Sequence, residues 1–303
     1  MTARKPLIAM TGASGFVGQE TLSILLEQGY RIRALIRNIE KISHIRHENL
    51  EWIQGHLPGL PPHFTQDVDI VLHIAGVIKA RARADYCHVN VTGTRELARQ
   101  AHRANVKRFV LLSSITARQA DLSDYAFSKR EGERAASENF KGPIAIIRAP
   151  AVFGGGDIAT KPILQAAQKG FLPMPRGRRW QDRSLALVYV KDLAHDLSTR
   201  AITGDYDGKT LSPATIGAIT WPEFAQALSD ALGKTVRPLP LPLPLLYGVA
   251  ALTSATSRLF GLGHLTLGKL NEFLYEDWSS KDVIHTATPL NEALVETLRD
   301  YDF

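Results

Sequence analysis

The run "PLIAMTGASGFVGQETLSILLEQG", residues 6–29, decides the fold class. It opens with a short apolar stretch ending at Gly12, long enough for a strand and too short for a helix. From Phe16 onward the apolar residues recur at helical spacing, and the pattern stops at Gly29. Between strand and helix lie Gly12, Gly15 and Gly18. Such a turn lets backbone N–H groups approach a pyrophosphate, and the helix N-terminus adds a favourable dipole. The stretch therefore predicts the first βα unit of a dinucleotide-binding fold, with Gly12, Ser14, Gly15, Phe16, Val17 and Gly18 around the pyrophosphate.

The sequence downstream repeats the alternation. "YRIRALIR", "NLEWIQG", "VDIVLHIAG", "VKRFVLLSS" and "PIAIIRAP" read as further strands. Helical patterns cover about residues 84–104 and "SDYAFSKREGERAASEN", where Ser123 is a candidate N-cap. Strands alternating with helices imply a parallel sheet covered on both faces, a Rossmann-type doubly wound α/β fold. Residues 1–155 form the expected dinucleotide-binding domain, and "SLALVYVKDLAHDLSTRAI" within 183–204 reads as a strand and helix returning to it. Residues 156–182 and 205–303, richer in proline and glycine with scattered helices, form the expected smaller, mostly helical substrate domain. The Leu-Pro run at 239–244 reads as an extended linker into an amphipathic helix packed on the protein.

Composition narrows the partners. The 303 residues are 45% hydrophobic and 22% charged, which suits a globular protein with a substantial core. The net charge of +6 favours anionic ligands, but the basic residues are scattered and do not interleave with aromatics, so nucleic acid is not an expected partner. No stretch reaches the roughly 20 apolar residues of a membrane span. The single cysteine, Cys87, excludes an internal disulfide framework and fits a cytoplasmic location. The histidines show no metal-ligand spacing, so no metal is expected. A small-molecule substrate is the expected partner, and homodimer formation is left open.

The end of the second strand bears on cofactor choice. An acid there would accept from the adenosine 2′-hydroxyl and select NAD; here the position holds Arg37, with Lys41 shortly after. Basic residues at this place pair with a 2′-phosphate, so NADP(H) is the expected cofactor.

"TGASGFVG", "HIAG" at 73–76, "NVTGT" at 90–94, "LLSS" at 111–114, "YAFSK" at 125–129 and "IRAPAVFG" at 147–154 occur in an order that resembles the short-chain dehydrogenase/reductase superfamily. They look like its extended branch of epimerase/dehydratase-like proteins, which includes dihydroflavonol reductases, hydroxysteroid dehydrogenases and nucleotide-sugar epimerases. The resemblance implies that Ala75 and Gly76 line the adenosine side, that Asn90 supports the active site, and that Pro150 and Val152 lie near the nicotinamide. It implies Ser114, Tyr125 and Lys129 as the catalytic set, Lys129 also holding the cofactor ribose. Three departures stand out. The third strand ends in "GH" where the family has "GD", so His56 and Leu57 occupy the adenine contact. Tyr189 replaces the usual histidine of the "HVDD" segment, and the interval from Ser114 to Tyr125 is short at 125 − 114 = 11 residues.

The chemistry of "YAFSK" follows from spacing. Reducing a carbonyl needs a hydride on carbon and a proton on oxygen. Residues i and i+4 share a helix face, so Lys129 sits beside Tyr125 and its ammonium makes the phenol a better acid. Ser114, at the end of an adjacent strand, can donate to the same oxygen. The expected activity is an NADP(H)-dependent reduction of a small, fairly apolar carbonyl, or its reverse. Two alternatives remain open: a nucleotide-sugar epimerase or dehydratase with the same three residues, and a non-catalytic dinucleotide-binding subunit or assembly factor.

Overall fold

The structure, a computed structural model, describes residues 4–42, 45–260 and 266–301, without the side chains of 41–42 and 254–260. The chain opens with β1 (Leu7–Thr11), α1 (Phe16–Glu27), β2 (Arg31–Ile36), β3 (Leu50–Gln54) and β4 (Ile70–His73). A continuous helical stretch follows: α2 (Arg83–Cys87), a π-helical turn at His88–Gly93, and α3 (Thr94–Arg103). Then come β5 (Arg108–Ser114), 3-10 turns at Ile115–Leu122, α4 (Asp124–Asn139) and β6 (Ile144–Ala149). Every residue of β1 is buried, as a strand covered on both faces must be. On α3 the buried Leu97, Ala98 and Ala101 form the core-facing stripe. They join a core that also holds Phe64, Phe109 and Phe140.

The remaining elements are β7 (Ala151–Phe153), α5 (Lys161–Gln168), β8 (Phe171–Pro175), β9 (Ser184–Tyr189), α6 (Val190–Thr203), β10 (Thr210–Leu211) and β11 (Ile216–Thr220). They end with α7 (Trp221–Leu232), β12 (Arg237–Leu241), α8 (Leu243–Phe260), α9 (Leu267–Leu274), β13 (Asp277–Trp278) and α10 (Leu290–Arg299). Helix α7 shows how local sequence sets its own limits. Thr220 caps it by accepting from the Glu223 N–H while the Glu223 carboxylate takes the Thr220 N–H, and Gly233 closes it at φ 63°.

The chain divides into two units. The first comprises residues 1–120, 125–148 and 193–211, and carries a seven-stranded sheet of order β10-β6-β5-β4-β1-β2-β3. Its strands pair in parallel, for example Ile8 with Ile32 on one side and with Ile70 on the other. The fold is the α/β, Rossmann-type sheet expected from the opening stretch. Strand order turns in opposite directions from β1 and β4, and their carboxyl ends are where a doubly wound sheet binds ligands.

The second unit comprises residues 121–124, 149–192 and 212–303. It has a four-stranded sheet in which β9 pairs with β7, β11 and β13, and a two-stranded sheet of β8 and β12. Here the structure corrects the sequence reading of 183–204. Strand β9 does not rejoin the large sheet; the segment that returns to the first unit is 193–211, which brings β10 to the edge beside β6. The run "LALVY" in β9 is apolar on both faces, a pattern that says buried strand without saying which sheet. Asp192, at the start of α6, fastens this region: its carboxylate accepts from Thr215 Oγ1 at 2.6 Å and Thr288 Oγ1 at 2.7 Å.

Candidate active site

The glycine turn closes on itself. Gly12 adopts φ 77°, and a Cβ there would stand 2.6 Å from the Ala75 backbone nitrogen. At Gly18 a Cβ would lie 1.9 Å from the Gly12 carbonyl oxygen, so only glycine fits. Helix α1 begins after Gly15 with no side-chain cap and no acidic residue in its first turn, which leaves its leading amides for an anion. This cradle fits a dinucleotide pyrophosphate. Ser14 is exposed, and its carbonyl takes Gln19 Nε2 at 3.2 Å; Phe16 and Val17 open the helix and are half-buried.

Around the turn, buried polar groups make a directed chain. Ala75 N–H donates to Thr11 Oγ1 at 3.2 Å, and Thr11 Oγ1 meets His73 Nδ1 at 2.6 Å. His73 Nε2 meets Thr94 Oγ1 at 2.9 Å, and that hydroxyl is already spent as a donor on the Asn90 carbonyl at 2.8 Å. His73 must therefore carry its proton on Nε2 and accept at Nδ1. Burial first, and the Lys129 charge second, pull its pKa down to about 3, so the ring is neutral. Asn90 continues the network from the π turn: its side chain bonds both the N–H and the carbonyl of Val77, at 2.8 and 3.0 Å, and donates to Ser128 Oγ at 2.9 Å. Gly132 permits the crossing of α4 over that turn, since a Cβ would stand 2.4 Å from the Asn90 carbonyl oxygen.

Strand alternation separates the two serines that end β5. Ser113 points inward and donates to Glu133 Oε1 at 2.5 Å, in a buried group where Arg148 grips the same carboxylate at 2.9 and 2.6 Å. Ser114 is half-buried; its hydroxyl pairs with Thr116 Oγ1 at 2.9 Å and accepts the Thr116 N–H at 3.2 Å. The 3-10 turns fill the short interval before Tyr125, which stands in the first turn of α4 with its ring 6.1 Å from that of Tyr86. One turn later Lys129 is buried and donates to the Leu112 carbonyl at 2.8 Å, immediately before the serine pair. Its Nζ would lie 3.5 Å from a Cβ on Gly76, so it reaches toward the loop that follows β4. Burial lowers the Lys129 pKa to about 8, with Glu133 opposing the shift.

Other expected positions sit more loosely. Arg37 is exposed, directly after β2; the Lys41 side chain lies outside the described residues. His56 is exposed and its Nδ1 is bonded to the Pro58 carbonyl. Leu57 packs on the core, where Gly93 makes room for its side chain. Pro150 and Val152 belong to the second unit, Val152 in β7. In that unit Arg183 is only 6% exposed, and its Nε and Nη1 have no hydrogen-bond partner; burial lowers its pKa. The sequence reading missed His73, Gly132 and Glu133. Gly132 carried a signal, because an isolated glycine in a helical pattern often marks a close approach.

Comparison with known proteins adds context to this geometry. The family model described as "NAD dependent epimerase/dehydratase family" matches residues 8–196. A ceramide reductase of Caulobacter vibrioides is 33% identical over 92% of this chain and 87% of its own length. A UDP-glucose 4-epimerase of Vibrio cholerae is 26% identical over 78% of this chain and 79% of its own. Among solved structures, UDP-glucuronic acid 4-epimerase from Bacillus cereus, in complex with NAD, matches with a TM-score of 0.71 at 16% identity, covering 98% of each chain.

Proposed function

This chain belongs to the NAD dependent epimerase/dehydratase family, and from that premise we propose that it is an NADP(H)-dependent reductase of a small, fairly apolar carbonyl, working with Ser114, Tyr125 and Lys129. The observation that carries this reading is Lys129: a buried ammonium one helical turn from Tyr125, held on the carbonyl of Leu112 two residues before Ser114. The likeness to a ceramide reductase supports reduction over other chemistries, and supports an apolar substrate.

In the proposed reaction, Gly12, Ser14, Gly15, Phe16, Val17 and Gly18 receive the pyrophosphate, and Ala75, Gly76, His56 and Leu57 flank the adenosine. Arg37, with Lys41, pairs with the 2′-phosphate. Pro150 and Val152 serve the nicotinamide end. The bound dinucleotide supplies the hydride for the carbonyl carbon. Ser114 donates a hydrogen bond to the carbonyl oxygen as charge gathers there, and Tyr125 gives that oxygen its proton. Lys129 stabilises the negative charge left on the phenol oxygen, and its reach toward Gly76 suits a ribose hydroxyl. Asn90 holds the Val77 loop and Ser128 in place.

A second reading, epimerisation or dehydration of a nucleotide sugar, is favoured by Arg183, whose buried Nε and Nη1 lack a hydrogen-bond partner and suit a diphosphate. One experiment separates the two: NADPH consumption is followed against ketones, aldehydes and sugar nucleotides, with wild type and Tyr125→Phe. The proposal expects turnover of an apolar carbonyl, reduced about 10²–10⁴-fold in Tyr125→Phe with NADPH affinity kept. Conversion of a sugar nucleotide without net NADPH consumption establishes the second reading instead. Arg37→Ala should cut the preference for NADPH over NADH on the order of tenfold, because a charge-assisted phosphate pair contributes roughly 1.5–3 kcal/mol. Equal affinity of the parent for both cofactors overturns the NADP assignment.

A further inference from the structure

The segment from β12 through α8 presents a surface unlike the rest of the second unit. Strand β12 runs into α8 across a single residue, Pro242. On α8 only Leu246 and Ala250 are buried among the described side chains, and they pack with Leu270 of α9. One face of α8 carries Leu245, Val249 and Leu252, exposed by 57, 42 and 68%. Leu239 in β12 and Phe171 in the paired strand β8 are exposed by 41 and 49%. Large apolar side chains gathered this way on one stretch mark an interaction site.

Charge tells what the site meets. No Asp or Glu occurs between Ala231 and Asn271, whereas Lys234, Arg237, Arg258 and Lys269 do. No charged residue of either sign lies between Arg237 and Arg258. The Arg176 N–H bonds the Leu241 carbonyl at 2.9 Å, which brings the exposed Arg176 and Arg178 to the end of β12, next to the start of α8. The result is an apolar helix face with basic residues at its edge and no acidic residue within the segment. No helix among the described residues is long and apolar enough to cross a membrane, and the Leu246/Ala250 stripe ties α8 to α9. The apolar face of α8 is therefore open from Leu245 to Leu252 while its other side is held on the protein.

We propose that α8 docks in the plane of an anionic lipid surface, with Leu245, Val249 and Leu252 entering the headgroup boundary and Arg176, Arg178 and Arg237 meeting lipid phosphates. The side chains of Leu245, Val249 and Leu252 offer no hydrogen-bonding group to water. The overall charge of +6 adds attraction to anionic headgroups. The inference does not depend on the reaction assigned above.

The test is flotation of the full chain with vesicles of phosphatidylcholine alone and of phosphatidylcholine with about 30% phosphatidylglycerol, alongside thermal melts and sedimentation analysis. The expected result is partition onto the anionic vesicles at least fivefold above the neutral ones. It should fall about tenfold in Leu245→Ser/Leu252→Ser at unchanged Tm. Arg176→Glu/Arg178→Glu, which leaves the apolar face intact, should lose the anionic preference. No partition onto either vesicle, or equal partition by both double variants and the parent, overturns the proposal. So does an oligomer that dissociates in Leu245→Ser/Leu252→Ser without vesicle binding by the parent, because the face would then be covered by a second copy.

Discussion

At Lys129, burial and a neighbouring carboxylate act against each other on one ammonium. Burial holds its pKa down to about 8 and Glu133 limits the fall. The group is therefore a cation below about pH 8 and neutral above it. In the proposed reaction the cation supports the charge left on Tyr125, so reduction should be lost as pH rises through that value. A pH profile of kcat for NADPH-driven reduction should show a high-pH limb near 8. Glu133→Gln, which keeps an oxygen for Ser113 but removes the charge, should move that limb to lower pH. The placing of Lys129 one turn from Tyr125 was legible in the sequence, because "YAFSK" fixes a helix face by spacing, whereas the choice of Ser114 over Ser113 came from the family resemblance. What spacing could not carry was His73. Nothing in "HIAG" tells that its ring would link Thr11 to Thr94.

Among elements, α4 is the one that others are built around. It is fastened to β5 twice, by Lys129 on the Leu112 carbonyl and by Ser113 on Glu133, and to β6 by the Glu133–Arg148 pair. The pair is largely shielded, with side chains 6 and 16% exposed. Removing one partner of such a pair strands a buried charge, which costs about 3–5 kcal/mol, whereas removing both costs far less. Arg148→Met should accordingly destabilise more than Arg148→Met/Glu133→Gln, as read by urea unfolding. The pairing was not legible beforehand, because Glu133 in a helix of charged residues reads as a solvated face until β6 is laid against it. The π turn was hidden for a similar reason. Its extra residue serves the contact between Asn90 and Gly132, which is set by tertiary packing and not by local propensity.

For the whole molecule, acid stability should follow His73. An unfolded chain protonates this ring near pH 6.5, and the folded one only near 3. Above 6.5 the group is neutral in both states and its full contribution is present. As pH falls from 6.5 toward 3 the unfolded state binds the extra proton and stability declines, by about 2 kcal/mol at pH 5. Urea midpoints measured between pH 7 and 4.5 should show this slope, and His73→Gln should flatten it. The division into two units was legible only in outline. The glycine turn and the alternation of strands with helices follow from periodicity, but the exchange of β9 for β10 at the sheet edge does not, since β10 is only the two residues Thr210–Leu211 and carries no apolar pattern of its own, whereas β9 does.

The buried ammonium also weighs on the fold itself. In the unfolded chain Lys129 holds its proton up to about pH 10.5, and in the native protein only to about 8. Below pH 8 the native state therefore bears the full burden of a desolvated charge, about 3 kcal/mol, relieved only as pH climbs from 8 to 10.5. Lys129→Met should raise Tm at pH 7 while abolishing turnover. A selection for heat resistance alone would then be drawn to position 129 and return sturdier, inert proteins, so thermostabilised libraries of this chain need an activity screen run in parallel.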